Sequence, residues 1–213
     1  MKRKSVLGIL FVCIIVVSAA LVLFPIAASS YLEWGVDVGD SFSYHIAVDG
    51  WDLNYTGSYH QQIPSHLMRY DGLSIIAEVV DLPVLGLYLS GNDFKQVITH
   101  QKVQVVFENG TDTPTELSDI TERIISNCFL PIGGWYLIDW FYPDTATSFP
   151  YPPTYTTSSD TSFHLGYDSL DIDLTTRLRS DISFEEGVPT RISYYRSHGV
   201  DYAFNVTLTQ IVN

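Results

Sequence analysis

The sequence predicts a mainly β fold: a curved antiparallel sheet, built as a half-barrel or a sandwich-like meander, with a short helical insertion packed on one face. Aromatic residues make up 14% of the chain, with 14 Tyr against 2 Met, and such side chains favour the pleated surface of strands. Apolar residues also alternate with polar ones along several stretches. The order of strands, helical insertion and strands places both ends of the domain in one sheet.

The first 30 residues are typical of a membrane segment. After three basic residues at positions 2–4, the run Val6 to Phe24 contains no charge; at about 1.5 Å per residue it nearly spans a hydrocarbon core of about 30 Å. The small residues at 27–30 also suit a signal peptidase, so a retained transmembrane helix and a cleaved signal peptide both stay open. The positive-inside rule places the N-terminus in the cytoplasm and residues 31–213 outside the cell membrane, or in the medium after cleavage.

The charge of the exported part limits its partners. Residues 31–213 contain 8 basic and 24 acidic residues, a formal charge of −16. This balance argues against nucleic acid as a partner and against charge-driven docking onto anionic lipid. The lipid bilayer is then contacted through the N-terminal segment.

Two residue types agree with an extracytoplasmic location. Asn54, Asn109 and Asn205 each begin an Asn-x-Thr sequence, which makes them glycosylation candidates. Cys128 is the only cysteine after residue 30, so no intramolecular disulfide can form there. We expect Cys128 to be a small buried residue at a helix end.

The first half of the domain is predicted to be strands. Residues 41–48 alternate apolar and polar side chains, Asp49-Gly50 is a typical hairpin turn, and alternation resumes over 53–59. The Asn109-Gly110 pair predicts the turn that ends the last of these strands. The further strand candidates are Leu73–Asp81, Val84–Ser90, Phe94–His100 and Lys102–Glu108.

A helical insertion is predicted over residues 113–142. Residues 113–116 (TPTE) combine a capping box with proline at the first helical position. Apolar residues then follow at helical spacing. Gly133-Gly134 separates this helix from a second, Trp135–Tyr142, which Pro143 ends. The apolar positions of the first helix are Leu117, Ile120, Ile124 and Cys128.

The last third begins with a loop and returns to strands. Residues 143–162 are rich in Pro, Ser and Thr and predict an exposed loop. Glu186-Gly187 and His198-Gly199 predict turns between the strands that follow. Those strands are Ser169–Leu178, Arg179–Phe184, Pro189–Ser197 and Asp201–Val212.

Two stretches resemble known families. "EWGVDVGDSFSYHI" (33–46) resembles the start of uncharacterised, membrane-anchored exported β-rich proteins of archaeal type. "DISFEEGVPTRISYY" (181–195) is similar to the hairpins of LolA-like lipoprotein-carrier half-barrels. Together they cover about 30 of the 213 residues. The second resemblance implies a curved antiparallel sheet with helices in its concave face, sometimes around an acyl chain.

The sequence contains no catalytic signature. The G-x-S-x-G, H-E-x-x-H, G-x-G-x-x-G and C-x-x-C patterns are missing, so we predict no enzyme, no cofactor and no metal site. His60 and His66 have no fixed geometry for a metal. Asp168, Asp171 and Asp173 offer oxygen ligands for calcium, but the latter two alternate with apolar residues as on the wet face of a strand.

The stretch "FLPIGGWYLIDWFYPD" (129–144) carries more apolar surface than a soluble domain exposes. It can complete the core, cover an acyl-sized pocket or lie on a membrane surface; the first is favoured. We therefore predict a membrane-tethered extracytoplasmic interaction or envelope module with a protein or glycan partner. The alternative is a half-barrel that binds a lipid or another hydrophobic ligand. The ligand or interface candidates are Phe129, Leu130, Trp135, Ile138, Trp140 and Phe141.

Overall fold

The computed structural model describes residues 32–52, 64–86, 91–135, 138, 153–158, 162–170, 173–199 and 201–212. Eight strands lie in this part of the chain. They are β1 (Ser41–Asp52), β2 (Ser74–Val79), β3 (Val103–Phe107), β4 (Pro153–Ser158), β5 (Ser162–Leu170), β6 (Leu174–Ser183), β7 (Pro189–His198) and β8 (Tyr202–Gln210). The helices are α1 (Pro64–Leu67) with the 3₁₀ turn Met68–Tyr70, α2 (Gly91–Thr99) and α3 (Thr115–Cys128).

All eight strands form one antiparallel sheet in the order β3-β2-β1-β8-β7-β6-β5-β4. The sheet is curved and open, since its edge strands β3 and β4 do not pair with each other. First and last strands are neighbours, with Ile46 opposite Leu208. The prediction of a mainly β antiparallel fold with both ends in one sheet is confirmed.

The two faces of the sheet differ sharply in polarity. The inner face carries Tyr44 and Ile46 from β1 and Leu208 from β8, all fully buried. Helix α3 packs against β3 and β7 on this side. The outer face carries the alternate positions, for example the exposed His45 and Asp49. Alternation along each strand therefore separates a packed core from a polar surface.

Helix α3 is confirmed as predicted, but its capping box is wrong. The four apolar positions of its core-facing side are buried. The Thr113 hydroxyl donates to Val105 O at 2.9 Å, and the Glu116 carboxylate accepts from the Tyr70 hydroxyl at 2.7 Å. The residue before the helix, Pro114, makes no side-chain cap. Thr113 and Glu116, the two side chains of the predicted capping box, therefore bond to other elements and not to the helix end.

Side chains from α3 cover the backbone of edge strand β3. Glu122 Oε1 accepts from the Val105 N–H at 3.1 Å, and Ser126 Oγ accepts from the Lys102 N–H at 3.0 Å. An uncovered strand edge would be a template for pairing with another chain. The helix therefore protects this edge with hydrogen bonds as well as with apolar contacts.

The predicted hairpin at Asp49-Gly50 is wrong. Strand β1 continues through both residues to Asp52, and Gly50 pairs with Phe204 of β8. A Cβ on Gly50 would lie 2.8 Å from Phe204 Cα and would overlap Ala203 O. The glycine allows two backbones to approach closely inside the sheet. Residues 53–59, the predicted second arm, lie outside the described residues.

The predicted strand Phe94–His100 is also wrong, because these residues belong to α2. Phe94, Val97 and Ile98 are buried, at the spacing of one helical face. Of the predicted strand at 84–90, residues 84–86 have no regular structure and 87–90 lie outside the described residues. The helical spacing of these apolar side chains therefore decides the structure of this segment.

Strands β7 and β8 are confirmed, but the predicted division between Ser169–Leu178 and Arg179–Phe184 is wrong, because β6 runs through it from Leu174 to Ser183. One strand was expected over 169–178, whereas β5 ends at Leu170 and β6 begins at Leu174. Part of the expected loop at 143–162 forms β4, which pairs with β5 through Thr157 and His164; residues 143–152 and 159–161 lie outside the described residues. The predicted turns at Gly187 and Gly199 are confirmed, with φ of +72° and +48°.

The predicted N-terminal membrane segment, residues 1–30, lies outside the described residues. Within the described ranges, none of the helices has both the length and the apolar character needed to cross a membrane.

Candidate functional site

The first two candidates of the aromatic stretch lie in the core. Phe129 and Leu130 are fully buried. The Phe129 ring contacts Phe42 edge-on with centroids 6.1 Å apart, and it lies 6.4 Å from Trp34. The Leu130 N–H donates to Gly187 O at 2.9 Å. This segment therefore joins β1 to the turn between β6 and β7 across the inner face.

The next two candidates continue this layer. Trp135 packs with ring centroids 5.2 Å from Phe163 and 5.0 Å from Phe184. Ile138 is fully buried, and its N–H donates to Gly134 O at 3.1 Å in a helical bond. Trp140, Phe141 and the remainder of the predicted helix at 135–142 lie outside the described residues.

A fully buried lysine lies beneath α2 and α3, and sequence reasoning did not identify it. Lys102 has no exposed surface. Its Nζ donates to Ile98 O at 3.0 Å, His100 O at 3.2 Å and Ser126 O at 2.9 Å. These carbonyls lie at the C-terminal ends of α2 and α3, where the helix dipoles favour a cation. The ammonium group thus links two helix ends to the edge of the sheet.

Burial dominates the ionisation of this region. It lowers the pKa of Lys102 to about 7 and raises the pKa of the Cys128 thiol to about 12. Burial also raises the pKa of Tyr44, whose hydroxyl donates to Pro189 O at 2.8 Å. A thiol with such a pKa is not a nucleophile at neutral pH. The prediction that Cys128 is a small buried residue at a helix end is confirmed.

The outer face of strands β6 and β7 carries three arginine side chains. Arg177 and Arg179 lie on β6, and Arg191 lies on β7. These are three of the eight basic residues in 31–213, on two neighbouring strands. Arg177 is opposite Tyr195 and Arg191 is opposite Asp181 in the pairing register. We call Arg177, Arg179, Arg191 and Tyr195 the arginine cluster.

Hydrogen bonds and ring contacts order the arginine cluster. Arg179 contacts both carboxylate oxygens of Asp168, with Nη1 to Oδ1 at 2.8 Å and Nη2 to Oδ2 at 3.1 Å. The Arg177 guanidinium lies 5.7 Å from the centre of the Tyr195 ring. The Arg177 side chain is 53% exposed, and Arg191 is also exposed. The Arg177 and Arg191 side chains are therefore both accessible, at positions four residues apart along the pairing of β6 with β7.

A polar network continues the cluster onto β8. The Ser193 hydroxyl donates to Asn205 Oδ1 at 2.8 Å, and Asn205 Nδ2 donates to Thr207 Oγ1 at 3.1 Å. All three side chains are half-buried. Fixed amides and hydroxyls beside guanidinium groups can bind a partner that carries both hydroxyl and carboxylate groups.

A serine, a histidine and an aspartate meet on the same outer face. His164 Nδ1 lies 2.7 Å from Asp181 Oδ1, and its Nε2 lies 3.4 Å from Ser162 Oγ. Sequence reasoning missed this group. Ser162 and His164 alternate onto one face of β5, but only the strand register brings Asp181 opposite His164.

The candidate metal ligands are placed as follows. Within the described ranges, no group of three His, Cys, Asp or Glu side chains could hold a metal ion. Asp168 binds Arg179, and Asp173 O accepts from the Gly199 N–H at 2.7 Å. His60 and Asp171 lie outside the described residues.

The glycosylation candidates differ in structure, and we expect them to differ in modification. Asn109 is exposed in a turn, where its Oδ1 accepts from the Thr111 N–H at 3.0 Å and the Thr111 hydroxyl at 2.7 Å. Asn205 is half-buried within β8, and its Nδ2 already donates a hydrogen bond to Thr207 Oγ1. In a host that glycosylates exported proteins, Asn109 should carry the glycan and Asn205 should not.

Peptide mass spectrometry of the protein from such a host would test this. Thr111→Ala should remove the glycan mass from the Asn109 peptide. A glycan on Asn205 would contradict the assignment. Asn54 lies outside the described residues.

A comparison of the chain with protein-family models, with curated proteins and with solved structures finds no match.

Proposed function

We propose that the chain is a membrane-tethered extracytoplasmic interaction module that binds an acidic glycan on the outer face of its sheet. One observation carries the proposal: the arginine cluster is accessible in a domain whose formal charge is −16. Basic groups are scarce in this domain, and three of them share one surface. A partner with carboxylate groups is the complement of that surface.

The chemistry of the cluster supports a glycan as the acidic partner. Guanidinium groups bind carboxylates with two parallel hydrogen bonds, and the Tyr195 ring offers a flat apolar surface to a sugar ring. Ser193, Asn205 and Thr207 add donors and acceptors for sugar hydroxyls. The described outer-face positions of β6, β7 and β8 are mostly polar or charged, whereas obligate protein interfaces have a large apolar centre.

The negative charge of the domain does not prevent this contact. At physiological ionic strength, exposed charges more than about 8 Å apart are largely screened. A carboxylate bound at Arg177 or at Arg191 is therefore attracted first by that guanidinium group. The distant acidic residues reduce the rate of approach of long polyanions, so a short acidic oligosaccharide or a chain end is the better partner.

The inner face supports this choice over a lipid carrier. In the described part of the chain, Phe129, Leu130 and Ile138 are fully buried against the inner face of the sheet. They occupy the position where a half-barrel would hold an acyl chain.

Binding of the full-length chain in detergent micelles to uronate oligosaccharides tests the proposal. We expect binding to a uronate hexasaccharide, weakening as salt is raised, and none to a neutral hexasaccharide. Arg177→Gln and Arg191→Gln should each reduce affinity about tenfold, the loss of about 1.4 kcal/mol. Arg123→Gln, at an exposed arginine of α3, removes the same charge elsewhere and should leave affinity unchanged. Equal effects of all three variants, or equal binding of the neutral sugar, would refute the assignment.

A further inference from the structure

The group formed by Ser162, His164 and Asp181 has the arrangement of a nucleophile, a base and an orienting carboxylate. Ser162 and His164 lie two residues apart on β5, and Asp181 lies opposite His164 on β6. Strand pairing therefore fixes the positions of all three backbones. The pairing of β6 with β7 is irregular at Asp181, and such bulges re-aim side chains in sheets and are frequent beside active sites.

The hydrogen bonds suit proton transfer from Ser162. The carboxylate of Asp181 lies 2.7 Å from His164 Nδ1, which favours the imidazole tautomer with its proton on that nitrogen. The lone pair of Nε2 then points toward Ser162 Oγ, 3.4 Å away. The same division of roles activates serine in several unrelated hydrolase folds. Two other hydroxyl groups of the sheet have different partners: Ser193 bonds to Asn205 and Ser180 to Arg191 O.

We propose that Ser162 is a nucleophile that cleaves carboxylic esters on the outer face, with His164 as its base and Asp181 as a positioning residue. This activity goes beyond the proposed glycan binding and does not depend on it. The group lies on an open sheet surface, which suits an ester carried by a large molecule, such as an acetylated polymer, better than a small substrate held in a deep cleft.

The reaction is balanced with water as the only co-reactant. Ser162 Oγ attacks the ester carbonyl carbon while its proton passes to His164 Nε2. The bond between that carbon and the alcohol oxygen then breaks, and His164 returns the proton to the departing alcohol. Water next attacks the acyl-serine, giving its proton to His164, and releases the carboxylic acid with Ser162 restored.

The exposure of the group indicates a slow reaction. The side chains of His164 and Asp181 are 34% and 44% exposed, so solvent screens the carboxylate and its main contribution is to orient the ring. The charged groups around the pair are Arg191, opposite Asp181, and Arg179 on the same face of β6. General-base assistance of this kind contributes about 10²- to 10⁴-fold.

Covalent labelling by a fluorophosphonate probe tests the proposal on the full-length chain in detergent micelles. Peptide mass spectrometry should find the adduct on Ser162 in the wild type and not in Ser162→Ala. Ser43→Ala, at another half-buried serine of the outer face, should be labelled at the wild-type rate. Hydrolysis of p-nitrophenyl acetate should be lost in the first variant and kept in the second.

Imidazole added in solution separates catalysis from structure. His164→Ala should slow labelling about 100-fold or more, and free imidazole should restore part of the rate. As a single substitution in the wild-type protein, Asp181→Asn should slow labelling of Ser162. In the His164→Ala variant with free imidazole, a further Asp181→Asn change should leave the rate of labelling unaltered, because free imidazole needs no orienting carboxylate.

Three results would overturn the proposal. They are no adduct on Ser162 of a protein whose circular dichroism is that of the folded domain, equal adducts on Ser162 and Ser43, and no effect of His164→Ala. The labelling assay contains no glycan, so failure of glycan binding and failure of ester cleavage would be distinguishable.

Discussion

Replacement of Gly187 by alanine is expected to destabilise the domain by about 4 kcal/mol or more, which is a larger loss than most single substitutions cause. Gly187 lies in the turn between β6 and β7 with φ of +72°, and a Cβ on it would overlap Leu130 O. Gly187 O also accepts the Leu130 N–H at 2.9 Å. Relief of the overlap would move the segment that covers the inner face. Urea unfolding followed by tryptophan fluorescence measures the loss.

Gly72→Ala is the matched control. Gly72 has φ of +78°, and the described residues place no atom within 4 Å of the position that a Cβ would take. Its replacement should therefore cost only the left-handed backbone term, about 1 to 2 kcal/mol. Equal losses for the two variants would show that backbone conformation alone is responsible and that the contact with Leu130 is unimportant.

The turn at Gly187 illustrates what the sequence can predict. An acidic-Gly pair between two alternating stretches is a local signal, and the turn is confirmed. The overlap with Leu130 depends on a contact across 57 positions of the chain, which no local pattern contains. The same limit explains the error at Asp49-Gly50, where an identical type of signal marks close backbone approach inside the sheet.

Helices were predicted well where the helical period of the apolar residues agrees with a signal at the C-terminal end of the helix. Helix α3 has apolar residues at a clear helical period and glycines beyond its end. Helix α2 has the same period over Phe94, Val97 and Ile98, but it is short and contains β-branched residues. For such short apolar runs, strand and helix cannot be separated by pattern alone.

The candidate surface on the outer face could not be predicted from the sequence. Arg177 and Tyr195 become neighbours only through the register of β6 and β7, and Arg179 meets Asp168 only through β5 and β6. The aromatic stretch at 129–144 gave a stronger local signal, and its described candidates lie in the core or pack against it. A conspicuous apolar run is therefore a better guide to packing here than to a site.

Lys102 is expected to make the stability of the domain rise with pH. Its pKa is lowered to about 7 by burial, whereas an unfolded lysine has a pKa of about 10.4. Between these values the unfolded chain binds more protons than the folded one. The free energy of unfolding then increases by about 1.4 kcal/mol per pH unit from this group. Below pH 7 the lysine is charged in both states, and the cost of burying the ammonium group is felt in full.

The Lys102→Met variant tests this expectation, because methionine has a similar shape without the titrating group. The difference in unfolding free energy between wild type and variant should grow on the order of 4 kcal/mol from pH 7 to pH 10. Cys128, whose pKa is raised to about 12 by burial, makes stability fall at high pH in both proteins. Its effect therefore largely cancels in the difference.

Urea unfolding at half-unit steps from pH 6 to pH 10 would give the two profiles. Lys95→Met, at a partly exposed lysine of α2, controls for the loss of a lysine and should run parallel to the wild type. Parallel profiles for wild type and Lys102→Met would contradict the prediction. They would mean that the helix ends and the carbonyls of Ile98, His100 and Ser126 hold the ammonium group charged, offsetting its desolvation. The slope of the difference thus decides between desolvation and the two helix dipoles as the stronger influence on this buried charge.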